Sequence, residues 1–201
     1  MKKEEEEIKN LKEKLKEKFR KNPVKFGTIL AHNMFGSSLL DYQKKFLADL
    51  SRRIIWVSGR QLGKTTMAAI KAIWYAYCFD DTVIMIIARS IRQAKILFRK
   101  IRLAVLQTSF IMDDIVKLSV KEIVFKNRSR IFIAPVGRTG EYTRGFTCDV
   151  IIVDEAGYVP DEVMSAILPS IAVKKGTLIL IGSPSAKGGF FYEAWRSPEY
   201  S

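Results

Sequence analysis

The fold class this sequence predicts is α/β: a mostly parallel central sheet flanked by helices. Three observations predict it. Short, nearly continuous apolar runs at 54–57, 82–88, 149–153 and 177–182 read as strands buried on both faces. Segments with apolar residues at three- and four-residue spacing lie between them, as crossover helices do. The loops after Val57, Val153 and Ile181 all fall at carboxyl ends of these strands, where such sheets bind ligands.

The elements follow in order. Residues 1–21 form an N-terminal amphipathic helix with Ile8, Leu11, Leu15 and Phe19 in one narrow stripe. That stripe suits packing on the helix's own domain or docking on a neighbouring subunit. Residues 22–201 form one domain. Asn22-Pro23 ends the first helix, and 24–39 reads as a loop. Leu40-Asp41-Tyr42-Gln43 leads into a helix to about Leu50. After the strand at 54–57 and its loop comes an apolar helix ending near Phe79, then the strand at 82–88. Residues 89–106 form a helix with Ile91, Ala94, Ile96, Leu97, Ile101 and Val105 inward. Arg92, Lys95, Arg99, Lys100 and Arg102 face outward. Short alternating runs lie at 118–120, 123–125 and 130–134; a turn at 126–129 joins the last two, as in an antiparallel hairpin at a sheet edge. Residues 137–144 are a polar loop. A helix at 160–168 precedes the strand at 177–182, and a last helix spans 190–195.

Composition limits the function classes. The 201 residues are 48% apolar, enough for a real core. Net charge is +13 and the predicted pI about 9.8. This favours a polyanionic partner, nucleic acid before an anionic membrane surface. The first helix contributes only +3 of that charge. Cys78 and Cys148 lack metal-ligand spacing and read as buried thiols in a reducing compartment. His32 is the sole histidine, which argues against a histidine-based metal site or triad. The N-terminus is charged, and the apolar helix is too short to span a bilayer and contains Lys71. The expectation is therefore no membrane and no secretion.

The chemistry concentrates in Ser58-Gly59-Arg60-Gln61-Leu62-Gly63-Lys64-Thr65-Thr66, between a buried strand and a helix. This is the layout of a P-loop. Backbone N–H groups and the positive helix end cradle phosphate. Gly63 lets the backbone approach, Lys64 supplies a cation for the outer phosphates, and the Thr65 hydroxyl suits Mg²⁺. The usual first glycine falls on Ser58, with Gly59 one place late. The second element is an apolar strand ending in Asp154-Glu155, the form of a Walker B strand. Asp154 is expected to hold Mg²⁺ opposite Thr65, and Glu155 to orient or deprotonate the attacking water. Together the two point to a nucleotide hydrolase.

With these residues in place, the chain from about Asn22 to Trp195 resembles the ATPase domain of viral large terminase subunits. The variant P-loop, with Arg60 before Gln-Leu-Gly-Lys-Thr, is similar to that family's. The resemblance implies a P-loop NTPase of the ASCE type that uses ATP and Mg²⁺ to drive double-stranded DNA into a capsid. It implies a homo-oligomeric ring, a pentamer, working with a portal protein and a small terminase subunit. The setting is the host cytoplasm, docked on the procapsid portal. Asp-Tyr-Gln at 41–43 resembles the adenine-reading motif, which assigns Gln43 to the base. Gly182-Ser183-Pro184 resembles the coupling motif, though many members have Thr at the position of Ser183. Arg144, eleven residues before Glu155, matches the position of a finger inserted into the neighbour's site. Arg60 is the alternative, and Arg138 a further substitute. Family members usually carry a nuclease domain. Beyond Glu155 only Asp161, Glu162, Glu193 and Glu199 remain, so no nuclease activity is expected of this chain. A helicase-like DNA-dependent ATPase and a nucleotide-gated DNA-binding module with little turnover are the competing readings. Arg128, Arg130, Arg138, Lys174 and Lys175 are the loop cations considered for DNA.

Overall fold

The computed structural model describes residues 2–134, 147–185 and 187–200. Three helices lead in: α1 (Lys2–Lys21), α2 (Pro23–Phe35) and α3 (Asp41–Ala48). Then come β1 (Arg53–Val57), α4 (Lys64–Cys78), β2 (Val83–Ala88), α5 (Ile91–Leu106) and the short α6 (Ser109–Met112). The meander β3 (Ile115–Leu118), β4 (Glu122–Phe125), β5 (Arg130–Ile133) follows. The chain closes with β6 (Val150–Asp154), α7 (Asp161–Ala172), β7 (Thr177–Gly182) and α8 (Phe190–Arg196).

One seven-stranded sheet runs in the order β1-β7-β6-β2-β5-β4-β3. The pairs from β1 through β5 are parallel, and β5-β4 and β4-β3 are antiparallel. The expected fold class is the one observed. Alternation along each strand divides the core. Ile84, Ile86, Ile152, Ile179 and Ile181 face the layer of α1 to α5. Met85, Ile87, Ile151, Val153, Leu178 and Leu180 face α7 and α8. Burial of the strands on both faces explains their unbroken apolar runs.

The structure departs from the sequence reading at five places. Ile91 and Ile96 of α5, read as inward, are exposed, and the inward face is Ala94, Leu97, Phe98, Ile101, Ala104 and Val105. Residues 24–39, read as a loop, contain α2. Asn22 is its N-cap, with Oδ1 accepting from Lys25 N at 2.9 Å, and Pro23 sits in the first turn. Gly36, at φ 64, ends α2 with its N–H on His32 O. Asn-Pro is thus both a stop and a start. β3 ends at Leu118 because Ser119 makes a turn, its Oγ accepting from Lys121 N and Glu122 N. α7 passes through Pro169 to Ala172; Cys148 N bonds Ser170 O and Gly176 N bonds Ile171 O, which holds the last turn. Lys100 turns inward, donating to Thr66 Oγ1 at 2.7 Å.

The carboxyl half of α1 packs on the domain. Phe19 is buried, its carbonyl accepts from Trp74 Nε1 at 2.9 Å, and Arg20 Nε donates to Cys78 O at 3.0 Å. Lys12 and Lys16 both reach Asp114 at 3.2 Å. Ile8 and Leu11, earlier in the same stripe, are exposed. Both cysteines are free and buried. Burial pushes the Cys78 thiol up to about 12 and that of Cys148 to about 11. Among the described residues, no helix is long and apolar enough to cross a membrane.

Candidate functional site

Sheet order determines where the chemistry meets. β1, β7 and β6 are adjacent and parallel, so the loops after Val57, Ile181 and Val153 emerge side by side. The strand that leads into Ser183, β7, lies between the strands that lead into the P-loop and the Asp-Glu pair.

The loop 58–63 is shaped by two left-handed residues, Gln61 at φ 64 and Gly63 at φ 82. A Cβ on Gly63 would also lie 2.9 Å from Gln43 Nε2. α4 starts at Lys64, so its positive end and free N–H groups face the loop. Ser58 N bonds Gly182 O at 3.2 Å, tying the loop's first residue to β7. Gly59, Arg60, Gln61 and Leu62 are exposed, while Lys64 and Thr66 are buried. Lys64 Nζ donates to Ser58 O at 2.8 Å and Gly59 O at 2.6 Å, and reaches Ser183 Oγ at 3.5 Å.

Thr65 Oγ1 lies 3.4 Å from Asp154 Oδ1. Asp154 is 6% exposed. Burial first, and the Glu155 carboxylate second, push its carboxyl up to about 6; Thr65, the Glu155 N–H and Lys64 oppose the shift. A buried carboxylate beside a hydroxyl is a hard, all-oxygen donor set that suits Mg²⁺. These two residues fit that ion.

Glu155 occupies the left-handed region at φ 52, ψ 47. For a residue with a side chain this conformation is strained and is found at functional sites. It is held from both sides: Glu155 N donates to Asp154 Oδ1 at 3.1 Å, and its Oε2 accepts from Ser183 N at 3.4 Å. Ser183 therefore touches both Lys64 and Glu155. In sequence it was the weaker of the motif residues, and the contact follows from a strand order that sequence did not give.

Gln43 stands in the first turn of α3. Its Oε1 accepts from Leu40 N at 3.0 Å, and its Nε2 donates to Leu62 O at 3.4 Å, joining α3 to the P-loop. Beside it is a cavity of about 120 Å³ whose wall includes Phe35, Ser38, Gly63 and Met67. Lys71, noted in sequence only as a charge in an apolar helix, is fully buried and contacts α3.

Arg144 and Arg138 lie outside the described residues. The other cations considered for DNA sit at the amino edge of the parallel strands, away from the nucleotide loops. Arg128 pairs with Asp81 at 2.6 Å and Lys174 with Asp149 at 2.9 Å. Arg130 lies over the Phe132 ring, and Lys175 is exposed.

Comparison with known proteins adds the relationship. Residues 55–198 match the family described as terminase large subunit, T4likevirus-type, N-terminal. The chain is 28% identical over 166 residues to the terminase large subunit of Thermus phage G20c, covering 73% of this chain and 34% of that protein. It thus spans about a third of that relative's length. Among solved structures, the large terminase ATPase domain of Thermus phage P74-26 superposes with a TM-score of 0.69 at 24% identity, covering 81% of this chain and 71% of the other. The large terminase of bacteriophage HK97 gives 0.74 at 19% identity, covering 89% and 43%.

Proposed function

The chain belongs to the terminase large-subunit family, through its N-terminal ATPase domain, and from that premise we propose that it hydrolyses Mg²⁺-ATP to drive double-stranded DNA into a viral capsid. The observation that carries the proposal is the meeting of Lys64, Thr65, Asp154, Glu155 and Ser183 at one edge of the sheet. The likeness in fold to the large terminase ATPase domain of Thermus phage P74-26 supports it.

The residues divide the work. The P-loop amides and Lys64 hold the β- and γ-phosphates and offset their charge. Thr65 and Asp154 hold Mg²⁺, which when bound neutralises charge on the phosphate oxygens. Glu155 orients the attacking water and takes its proton, its backbone fixed by Asp154 and its carboxylate by Ser183. Ser183, in contact with both Lys64 and Glu155, links the phosphate-facing cation to the base. Gln43 borders the adenine. The motor works as a ring, with Arg144 of one subunit acting on the neighbour's nucleotide; Arg60, inside the P-loop, is the alternative and would act within its own subunit. Its partners are DNA, a portal protein and a small terminase subunit, and its setting is the procapsid portal in the host cytoplasm.

Glu155→Gln tests the assignment. ATP binding should persist while hydrolysis is lost. Undiminished turnover in this variant would place the base elsewhere.

A further inference from the structure

Lys71 is the one charged side chain in the middle of α4, and no part of it reaches solvent. Its ammonium donates to Phe46 O at 2.8 Å and Leu47 O at 3.4 Å, and also bonds Asp49 O. These carbonyls belong to the last turn of α3 and the residue capping it, where a helix leaves C=O groups without internal partners. The charge also complements the negative end of the α3 dipole. It lies 5.0 Å from the centre of the Phe46 ring, and that ring packs on Trp56 of β1 at 4.8 Å. Burial lowers the ammonium to about 8, with Asp49 opposing, so it is charged at neutral pH.

α3 is only eight residues long, below the length at which a helix is stable alone. Its two ends do different things. The carboxyl end is clamped by Lys71 to the helix that follows the P-loop. The amino end carries Gln43, whose Nε2 reaches Leu62 O in the P-loop itself. The geometry points to Lys71 as a positioning residue for the base subsite: by clamping α3 to α4, it fixes Gln43 beside the P-loop and thereby sets preference for the nucleotide base. This rests on the reading that the loop binds nucleotide with Gln43 at the base.

The test is a double-mutant cycle on the whole chain, with ADP and GDP dissociation constants measured by calorimetry. Lys71→Met keeps the length of the side chain and removes the donor. If α3 then holds Gln43 in place only about a fifth of the time, ADP binding weakens about fivefold. GDP binding should change little, so the preference for ADP narrows. Gln43→Ala should narrow it in the same way. The double variant should be no worse than Gln43→Ala, because both changes act through one contact. A Lys71→Met protein that melts lower but keeps the wild-type ADP-to-GDP ratio would make Lys71 merely structural and overturn the proposal. Additive losses would overturn it too. Wild-type binding of ADP that is indifferent to Gln43→Ala removes the base role of Gln43 and the proposal with it. Wild type that binds neither nucleotide would sink the functional reading itself. Should Lys71→Met not fold, Lys71→Leu, which also lacks the donor, carries the same comparison.

Discussion

Replacing Glu155 with Gln should make the protein more stable and catalytically dead at once. The carboxyl of Asp154 is raised from an ordinary 3.8 to about 6, by burial first and by the Glu155 charge second. At neutral pH that difference corresponds to about 3 kcal/mol of folding free energy opposed by ionised Asp154. Burial is the larger cause, so removing the Glu155 charge relieves only part of this penalty, on the order of 1 kcal/mol. Gln removes the charge, fits the same space, and its amide oxygen can still accept from Ser183 N. The melting temperature at pH 7 should therefore rise by about 2–4 °C. The pH dependence has a definite sign. The folded state holds the Asp154 proton more tightly than the unfolded state, so the wild type loses stability as pH rises from about 4 to about 6. The Glu155→Gln profile should be flatter across that window. Turnover should fall about 10²- to 10⁴-fold, the range for loss of a general base. Thermal melts between pH 4 and 8 in EDTA, with phosphate release in Mg²⁺, measure both effects. A variant that melts lower at pH 7 with an unchanged pH profile would refute the charge argument. Retained phosphate release would refute the catalytic one.

Three further outcomes are expected. Lys64→Ala removes the cation that spans Ser58, Gly59 and Ser183; calorimetry should show ATP affinity at least about tenfold weaker, consistent with loss of a charge-assisted contact. Gly176→Ala puts a Cβ 2.5 Å from Asp149 O, a backbone atom at the opposite edge of the sheet. It should cost about 1–3 kcal/mol and lower the melting temperature while leaving nucleotide affinity unchanged. Arg144→Ala should abolish only the part of the hydrolysis rate that depends on assembly; an equal loss in a protein shown to be monomeric would place the arginine in its own subunit.

How much of this was legible in sequence depended on the range of the interaction. The buried parallel strands were legible because burial on both faces forces continuous apolar runs, as at β2 and β6. Lys64, Thr65, Asp154 and Glu155 were legible because each lies inside a contiguous motif. α2 was missed because Asn22-Pro23 serves as a terminator and a cap with the same two residues. β3 was shifted because a serine turn at 119–122 follows a run of good strand formers. Gln43 was visible only through family resemblance. Lys71 left no sequence signal, since its partners are backbone carbonyls some 22 to 25 residues away, and a carbonyl looks the same whatever the side chain. The link from Ser183 to Lys64 and Glu155 needed the insertion of β7 between β1 and β6, which periodicity does not encode.

The central claim is that this edge of the sheet hydrolyses ATP and that a neighbouring subunit completes it. The most direct measurement is the rate of Mg²⁺-ATP hydrolysis per subunit as a function of protein concentration, with Glu155→Gln as the blank. The account predicts a rate above the blank that climbs as concentration rises and subunits assemble. A rate that never exceeds the blank, or one above it that stays flat across the whole range while the protein assembles, would contradict it.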